Sequence, residues 1–569
     1  MDSKSLDTLQ ALNGDILQIV MEMLRPGRGL RPFSLTCKRI RAACYPILFR
    51  ECMISSKEVD RRYQPEFVPS SIWPYIRTLS FAGPFDRDDI RSLRRVELEH
   101  IHPSWKEEVL RPSRDAMKRV GETLRVALHS MHSLYSIDIS LSSNSGPVGP
   151  ATVSGISPYI LGAILSTHRL RQLTITGLLH DTDDTLPDLF ELSLQARLSA
   201  FAYSVEQERS TSQVPYAERA AITLLLAHIH DCLETLYLPS ECAPIEQMNT
   251  WRWPSLQELF LRGERVTRAG PMIHMLGKMP RLRILVLLVA EPRGGRTPPI
   301  WPPSLDLHGD TTEWHDLEVL AVAHPHPEDQ IYSHLPHTLV SLSLRCWPRH
   351  YKLHTELQNV YSAAGVQWTS PLLTSSEMLS IVQRIHAPRL TCLNLEFRAD
   401  SDDHHLFSHI GVSFPSLIHL SIHRYRMPGE DEPPLVGIAR ALSPLQHLEM
   451  LKLHLEFVNL PPVEVEGPME SRRFRLAIRP ARQQQFQDSD RTLTHAANVM
   501  ANLLGPSLLC IHFLRPLWGS EPQWEPFYVE RSSSADGGDY VTVVHRPART
   551  AYLDAHLDLP YMEHIYEDN

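Results

Sequence analysis

The chain carries one hydrophobic pattern many times: apolar, x, x, apolar, x, apolar. It reads IRTLSF at 76–81, LYSIDI at 134–139, LRQLTI at 170–175, LETLYL at 233–238, LQELFL at 256–261, LRILVL at 282–287 and LEVLAV at 317–322. It continues as LVSLSL at 339–344, LTCLNL at 390–395, LIHLSI at 417–422, LEMLKL at 448–453 and LLCIHF at 508–513, with a weaker copy, LSAFAY, at 198–203. Side chains alternate faces along a strand. Positions 4 and 6 of each copy therefore share one face, and positions 3 and 5 the other, while position 1 packs the turn before the strand. One such strand cannot hold a core, but stacked copies share a continuous one. Helical segments fall between copies, at 116–131, 216–233, 376–386, 434–442 and 491–504. Strand alternating with helix predicts an α/β fold with a parallel sheet and right-handed crossovers. After the last copy, Phe527–Arg531 and Tyr540–Val544 flank a Ser/Asp/Gly loop. They predict a β-hairpin that covers the open end of the array.

The N-terminus is written differently. LNGDILQIVMEML (12–24) is apolar except for a narrow stripe at Asp15, Gln18 and Glu22. On a 3.6-residue helix that leaves most of the surface needing cover. Asn13 can cap this helix. A second short helix is expected from near Leu30, and a third over roughly Cys37 to Cys44, with Pro46 disfavouring helix at Tyr45. Three short helices in so few residues seldom fold alone.

Composition narrows the class. Of 569 residues, 43% are hydrophobic and 21% charged, values of a globular chain. A net charge of −10 gives no basic footprint for nucleic acid. No signal-peptide pattern opens the sequence, and the longest apolar run, about 220–229, is too short for a membrane span. The eight cysteines include no C-x-x-C pair. They read as small buried hydrophobes of a reducing compartment, cytoplasmic or nuclear.

The residues at 11–55 resemble an F-box. Leu12 holds the opening Leu, and Asp15, Ile16 and Leu17 hold the acidic-aliphatic-aliphatic triplet. Leu30, Leu35, Cys37, Lys38 and Arg39 match the middle, and Pro46, Leu48, Phe49 and Arg50 the end. Asn13 replaces the usual Pro, and Asp15 the commoner Glu. The strand copies resemble leucine-rich repeats, spaced 22–36 residues where regular, but nearly all lack the Asn or Cys that usually follows the strand. An F-box followed by such repeats is a family arrangement. The resemblance implies an F-box at 1–55, an irregular repeat solenoid at 56–523, and a cap hairpin with an acidic tail at 524–569. It also implies two partners, a Skp-type adaptor and through it a cullin scaffold. The chain would be a substrate-recognition subunit of a cullin–RING ubiquitin ligase. The alternative is a repeat scaffold that binds the adaptor without delivering a substrate. By matching, Leu12, Ile16, Leu17, Leu35 and Lys38 are expected to contact the adaptor, with Leu12, Ile16 and Leu17 left open in the lone chain. Residues 25–50 carry seven Lys and Arg and no acid; this is either a solvated face or electrostatic steering toward an acidic partner.

Positions 3 and 5 are expected to line the concave face, where solenoids bind. Candidate substrate contacts are Phe260, Ile284, Val286, His419 and Lys452. The middle of that face is unusually apolar. Either a protein partner docks there, or the proline-rich insertion 291–309 folds over it with Trp301 as a plug. His405 and His409 lie at i, i+4 after Asp402 and Asp403, a spacing that can hold a metal. Thirty histidines make such a pair easy to meet by chance, and no H-E-x-x-H occurs. No phosphate-binding glycine loop or nucleophile elbow is present either. No metal, no cofactor and no catalytic activity are expected, and the identity of a target is not written in the sequence.

Overall fold

The computed structural model describes residues 13–24, 29–55, 68–82, 118–141, 155–179, 194–205, 208–266, 270–295, 298–305, 314–353, 366–427, 429–458, 472–515, 523–533 and 539–545. The chain forms two compact units, Met1–Glu206 with Pro215–Leu238, and Gln207–Val214 with Pro239–Asn569.

The first unit opens with three helices, α1 (Gly14–Leu24), α2 (Leu30–Ser34) and α3 (Lys38–Leu48). The Asn13 side chain accepts a hydrogen bond from the Asp15 N–H at 3.3 Å, as its capping role predicts. Cys37 caps α3, its sulfur accepting from Ile40 N–H. Pro46 does not stop that helix. It lies in the last turns of α3, where its ring is accommodated and the helix runs on to Leu48. Leu17, Met21, Leu30, Ile40, Cys44 and Ile47 form a small core of their own.

Strand β1 (Glu51–Ser55) follows at once and pairs in parallel with β2 (Thr78–Ala82). The repeat pattern does not reach β1, because ECMIS lacks the alternation and its partner lies beyond it in sequence. Strands β3 (Ser136–Ser140), β4 (Gln172–Thr176), β5 (Ala200–Ser204) and β6 (Thr235–Pro239) then add in chain order, each parallel to the last. In the second unit β7 (Glu258–Glu264), β8 (Ile284–Pro292), β9 (Val319–Ala323) and β10 (Ser341–Arg345) do the same. Next in the sheet come β13 (Cys392–Arg398), β14 (His419–Tyr425), β15 (Met450–Leu455) and β16 (Cys510–Arg515). Two short strands, β11 (Trp368–Thr369) and β12 (Leu373–Thr374), lie between β10 and β13 in the chain. β17 (Gln523–Ser533) runs antiparallel on β16, and β18 (Asp539–His545) antiparallel on β17. Each unit is thus an open, repeating α/β arrangement, consistent with a solenoid.

Within each unit the register follows the sequence pattern position for position: Leu79 faces Ile137, then Leu173, then Phe201. Even positions point at the helices. Tyr203 donates its hydroxyl to Glu218 of the helix Tyr216–Ile229 at 2.6 Å, and Phe397 packs edge-on against Phe407 of the helix Asp403–Ser413. Positions 1, 4 and 6 are buried in every copy. At about 1.5–3 kcal/mol for each large aliphatic side chain, these ladders supply most of the driving force.

Gly263 is required by its place. Gly263 in β7 has φ of 124°, and a Cβ there would collide with the Glu241 carboxylate. Glu241 cannot retreat, since it is buried and paired with Arg209 at 3.0 Å. Gly263→Ala is expected to lower stability by roughly 2 kcal/mol or more. A thermal melt checks this; an unchanged midpoint would show that the strand tolerates the side chain.

Candidate functional site

Two surfaces come forward, one in each unit. The first is the face of the three-helix group. Leu17 and Met21, at i and i+4, point inward and meet α3, where the Cys44 thiol lies 3.4 Å from the Met21 sulfur. The opposite line of α1 is left uncovered: Ile16 is 49% exposed, Ile19 60% and Met23 77%. These three fall at i, i+3 and i+7, one stripe of a helix. Leu35, in the turn after α2, is 71% exposed. Arg31, Lys38 and Arg41 are exposed on the same helices. On its other side the group is anchored, with Tyr45 of α3 edge-on against Tyr75 at 6.0 Å.

This places the expected adaptor contacts. Ile16, Leu35 and Lys38 are at the surface, and Leu12 lies outside the described residues. Leu17 is a correction: it is a core residue, because the phase of α1 against α3 turns it inward. Ile19 and Met23 are surface residues that the motif match did not single out. The spacing i, i+3, i+7 from Ile16 was the available signal.

The second surface is the odd-position face of the second unit. Phe260 and Val286 are each only 2% exposed, and Ile284 is half-buried. They are therefore not open contacts for a protein, a second correction. Aromatic cover at this level comes from the segment between β10 and β13. Trp368 and Thr369 pair antiparallel with Pro292 and Glu291 of β8, and Trp368 donates its indole N–H to Glu264 at 2.8 Å. Trp347 lies 5.4 Å from Trp368, and the Arg262 guanidinium sits 5.2 Å over the Trp347 ring. Trp301 is held elsewhere: it stacks on His334 at 4.3 Å and donates to the Leu305 carbonyl, while Asp329 accepts its backbone N–H. His419 and Lys452 are half-buried, Lys452 lying 5.8 Å from the Trp524 ring.

Glu396, the residue after position 6 of its copy in β13, clamps the covering segment. Its carboxylate accepts from Cys346 N–H (2.9 Å), Arg349 (3.0 Å), His350 N–H (3.0 Å) and the Tyr425 hydroxyl (2.9 Å). Burial alone would raise this carboxyl, but the Arg349 guanidinium and these donors overcome that and hold it below the ordinary range. Burial keeps the histidines beside it neutral. His454 is pushed down to about 4, and His423 well below its usual value with Arg349 adding to the effect. His324, in a left-handed turn with φ of 50°, is likewise lowered to about 4. Its neutral ring donates Nε2–H to the Trp347 carbonyl at 3.0 Å.

The histidine pair considered for metal is engaged otherwise. His405 meets Asp402 at 3.1 Å and His409 meets Ser413. Among the described residues no group of three or more His, Cys, Asp or Glu could hold a metal. No helix among them is long and apolar enough to cross a membrane.

No protein-family model matches the chain, and no curated protein matches it. Among solved structures, a chain in the crystal structure of the yeast Rad7 and Elc1 complex aligns over 82% of this chain and 89% of its own, at 11% identity and a TM-score of 0.28. A likeness at that score does not establish a shared fold.

Proposed function

We propose that this chain is the substrate-recognition subunit of a cullin–RING ubiquitin ligase, docking a Skp-type adaptor through helices α1–α3. One observation carries the reading. The three-helix group satisfies its own core yet leaves Ile16, Ile19, Met23 and Leu35 in solvent, and Ile16 and Leu35 are among the residues that match an F-box. Large apolar side chains gathered on one small element mark a surface that a partner covers. The exposed Arg31, Lys38 and Arg41 suit an acidic partner surface. The chain's contribution is proximity: a target held on the strand faces gains effective concentration near the charged conjugating enzyme. It does no bond chemistry itself, and its free cysteines suit the reducing cytoplasm or nucleus.

A second reading, the scaffold that binds the adaptor without delivering a substrate, is favoured by one observation. Phe260 and Val286 in the middle of the second unit's face are closed. On the first reading the target uses the less covered odd positions instead, such as exposed Gln172 beside half-buried Thr174 and Ser80 in the first unit.

The test uses surface substitutions, because Leu17 is structural. Ile16→Asp with Met23→Asp is expected to cut recovery of purified adaptor at least tenfold, taking about 1.5–3 kcal/mol for each apolar side chain that the adaptor no longer buries. Val412→Asp, at an exposed site in the second unit, should leave recovery unchanged. Equal recovery for all three proteins would refute adaptor docking. In a reconstituted ligase, a bound protein that gains no ubiquitin would favour the scaffold.

A further inference from the structure

Ser343, Asn394 and Ser421 occupy position 5 of the copies in the adjacent strands β10, β13 and β14. All three lie on the face away from the helices and all three are buried. Ser343 Oγ, Ser421 Oγ and both side-chain polar atoms of Asn394 have no hydrogen-bond partner. Two residues further along, His423 Nδ1 and His454 Nε2 are also buried without a partner. Orphaned buried polar atoms are costly, and native proteins leave few of them, scattered. Here they form a continuous strip across neighbouring strands. Such a strip is satisfied by ordered water or by a ligand that enters it.

The surroundings define that molecule. The same row continues through Lys452 to His512, both half-exposed, so the strip runs out to solvent at β15 and β16. Its walls are flat and aromatic: Tyr351 stacks on His423 at 6.2 Å, and Trp524 meets His423 edge-on at 5.4 Å. The local field is positive, since Arg349, Arg345 and Lys452 all oppose a proton on His423, and Glu396 is already engaged by Arg349. The Ser343 and Ser421 hydroxyls, the Asn394 Nδ2–H and one nitrogen of each neutral imidazole can donate. A planar monoanion matches this set, whereas a dianion would have more charge to desolvate than these groups compensate.

We propose that the odd-position face of the second unit is a binding site for a small carboxylate, whose oxygens are received by Asn394, Ser343 and Ser421. The site is independent of the adaptor face and does not rest on the ligase reading.

The test is thermal unfolding of the full chain with propionate and benzoate, each against its neutral amide, with inorganic phosphate as a further arm. The carboxylates are expected to raise the midpoint and the amides to leave it unmoved. Asn394→Leu removes two orphaned atoms, so it should keep or raise the midpoint of the free protein while weakening the carboxylate response at least tenfold in concentration. Should that variant fail to fold, Ser343→Ala and Ser421→Ala serve, each shifting the response the same way. The proposal is overturned if neither carboxylate raises the midpoint, if the amides or phosphate alone do so, or if the response survives the substitutions. A lower midpoint for Asn394→Leu with no carboxylate response in the unsubstituted chain would mean that the strip holds ordered water only.

Discussion

Glu396→Gln is expected to release the segment that closes the face of the second unit. The carboxylate serves four donors at once, and three of them, Cys346 N–H, Arg349 and His350 N–H, belong to that segment. The amide keeps one acceptor oxygen and no charge. It leaves the Arg349 guanidinium buried beside a neutral group, the situation in which one half of a buried ion pair costs roughly 3–5 kcal/mol. Hydrogen exchange over 346–351 reads the effect locally, which matters in a chain of two units that need not unfold together. Protection there should fall by roughly two to three orders of magnitude, while peptides of β3 and β4 in the first unit stay unchanged. Arg349→Met added to Glu396→Gln should recover part of the loss, since the uncompensated charge is then gone. A change of less than about tenfold would mean that Glu396 is not the clamp.

The second large effect is with pH. His324, His423 and His454 are buried and neutral, with folded values about 4 for His324 and His454 and well below ordinary for His423. Unfolded histidine titrates near 6.5. Between those values the unfolded chain takes up protons and the folded chain does not. The stability these groups contribute is therefore present above about pH 6.5 and lost as the pH falls toward 4, up to about 3 kcal/mol for each of His324 and His454. Glu241 works in the opposite sense. Burial raises it to about 7 despite its Arg209 partner, so its contribution is present at low pH and lost as the pH rises through 7. Burial also raises Asp329 and Asp403, in the same sense as Glu241; the three histidines together outweigh these carboxyls, and a net loss of a few kcal/mol is expected in the second unit from about pH 7.5 to about pH 5. Exchange of peptides in β9, β14 and β15 at the two pH values measures it, and His454→Gln should flatten the dependence. Equal protection at both values would show that these rings take up protons freely in the fold.

The strands and their register were legible because they repeat. A residue such as Leu395 is surrounded by its equivalents Leu344 and Ile422, so the periodicity of the sequence is the periodicity of the core. The hairpin was legible for a local reason, two β-rich runs about a short polar loop. Strand β1 was not: Glu51–Ser55 has no alternation of its own, and only its pairing to β2 makes it a strand. Part of the helical face was legible too. Resemblance put Ile16, Leu35 and Lys38 at the surface, but it gave Leu17 the same role, because a motif does not state which way a helix is turned.

What the sequence determined by itself is whatever follows from spacing: the alternation of strand and helix, the buried ladder at positions 1, 4 and 6, and three short helices ahead of them. Those features rest on interactions between near neighbours or between equivalent positions, and a period expresses both. Only the tertiary structure decided what happens on the other face. Its closure rests on the union of Glu396 with Cys346 across 50 residues of chain and of Trp368 with Glu264 across 104. Contacts of that range join single, non-repeating residues, so no pattern announces them. The sequence offered Trp301 for that place; the fold put Trp347 and Trp368 there, because the hydrogen-bond acceptors that could hold a covering segment, Glu264 and Glu396, lay beside their path.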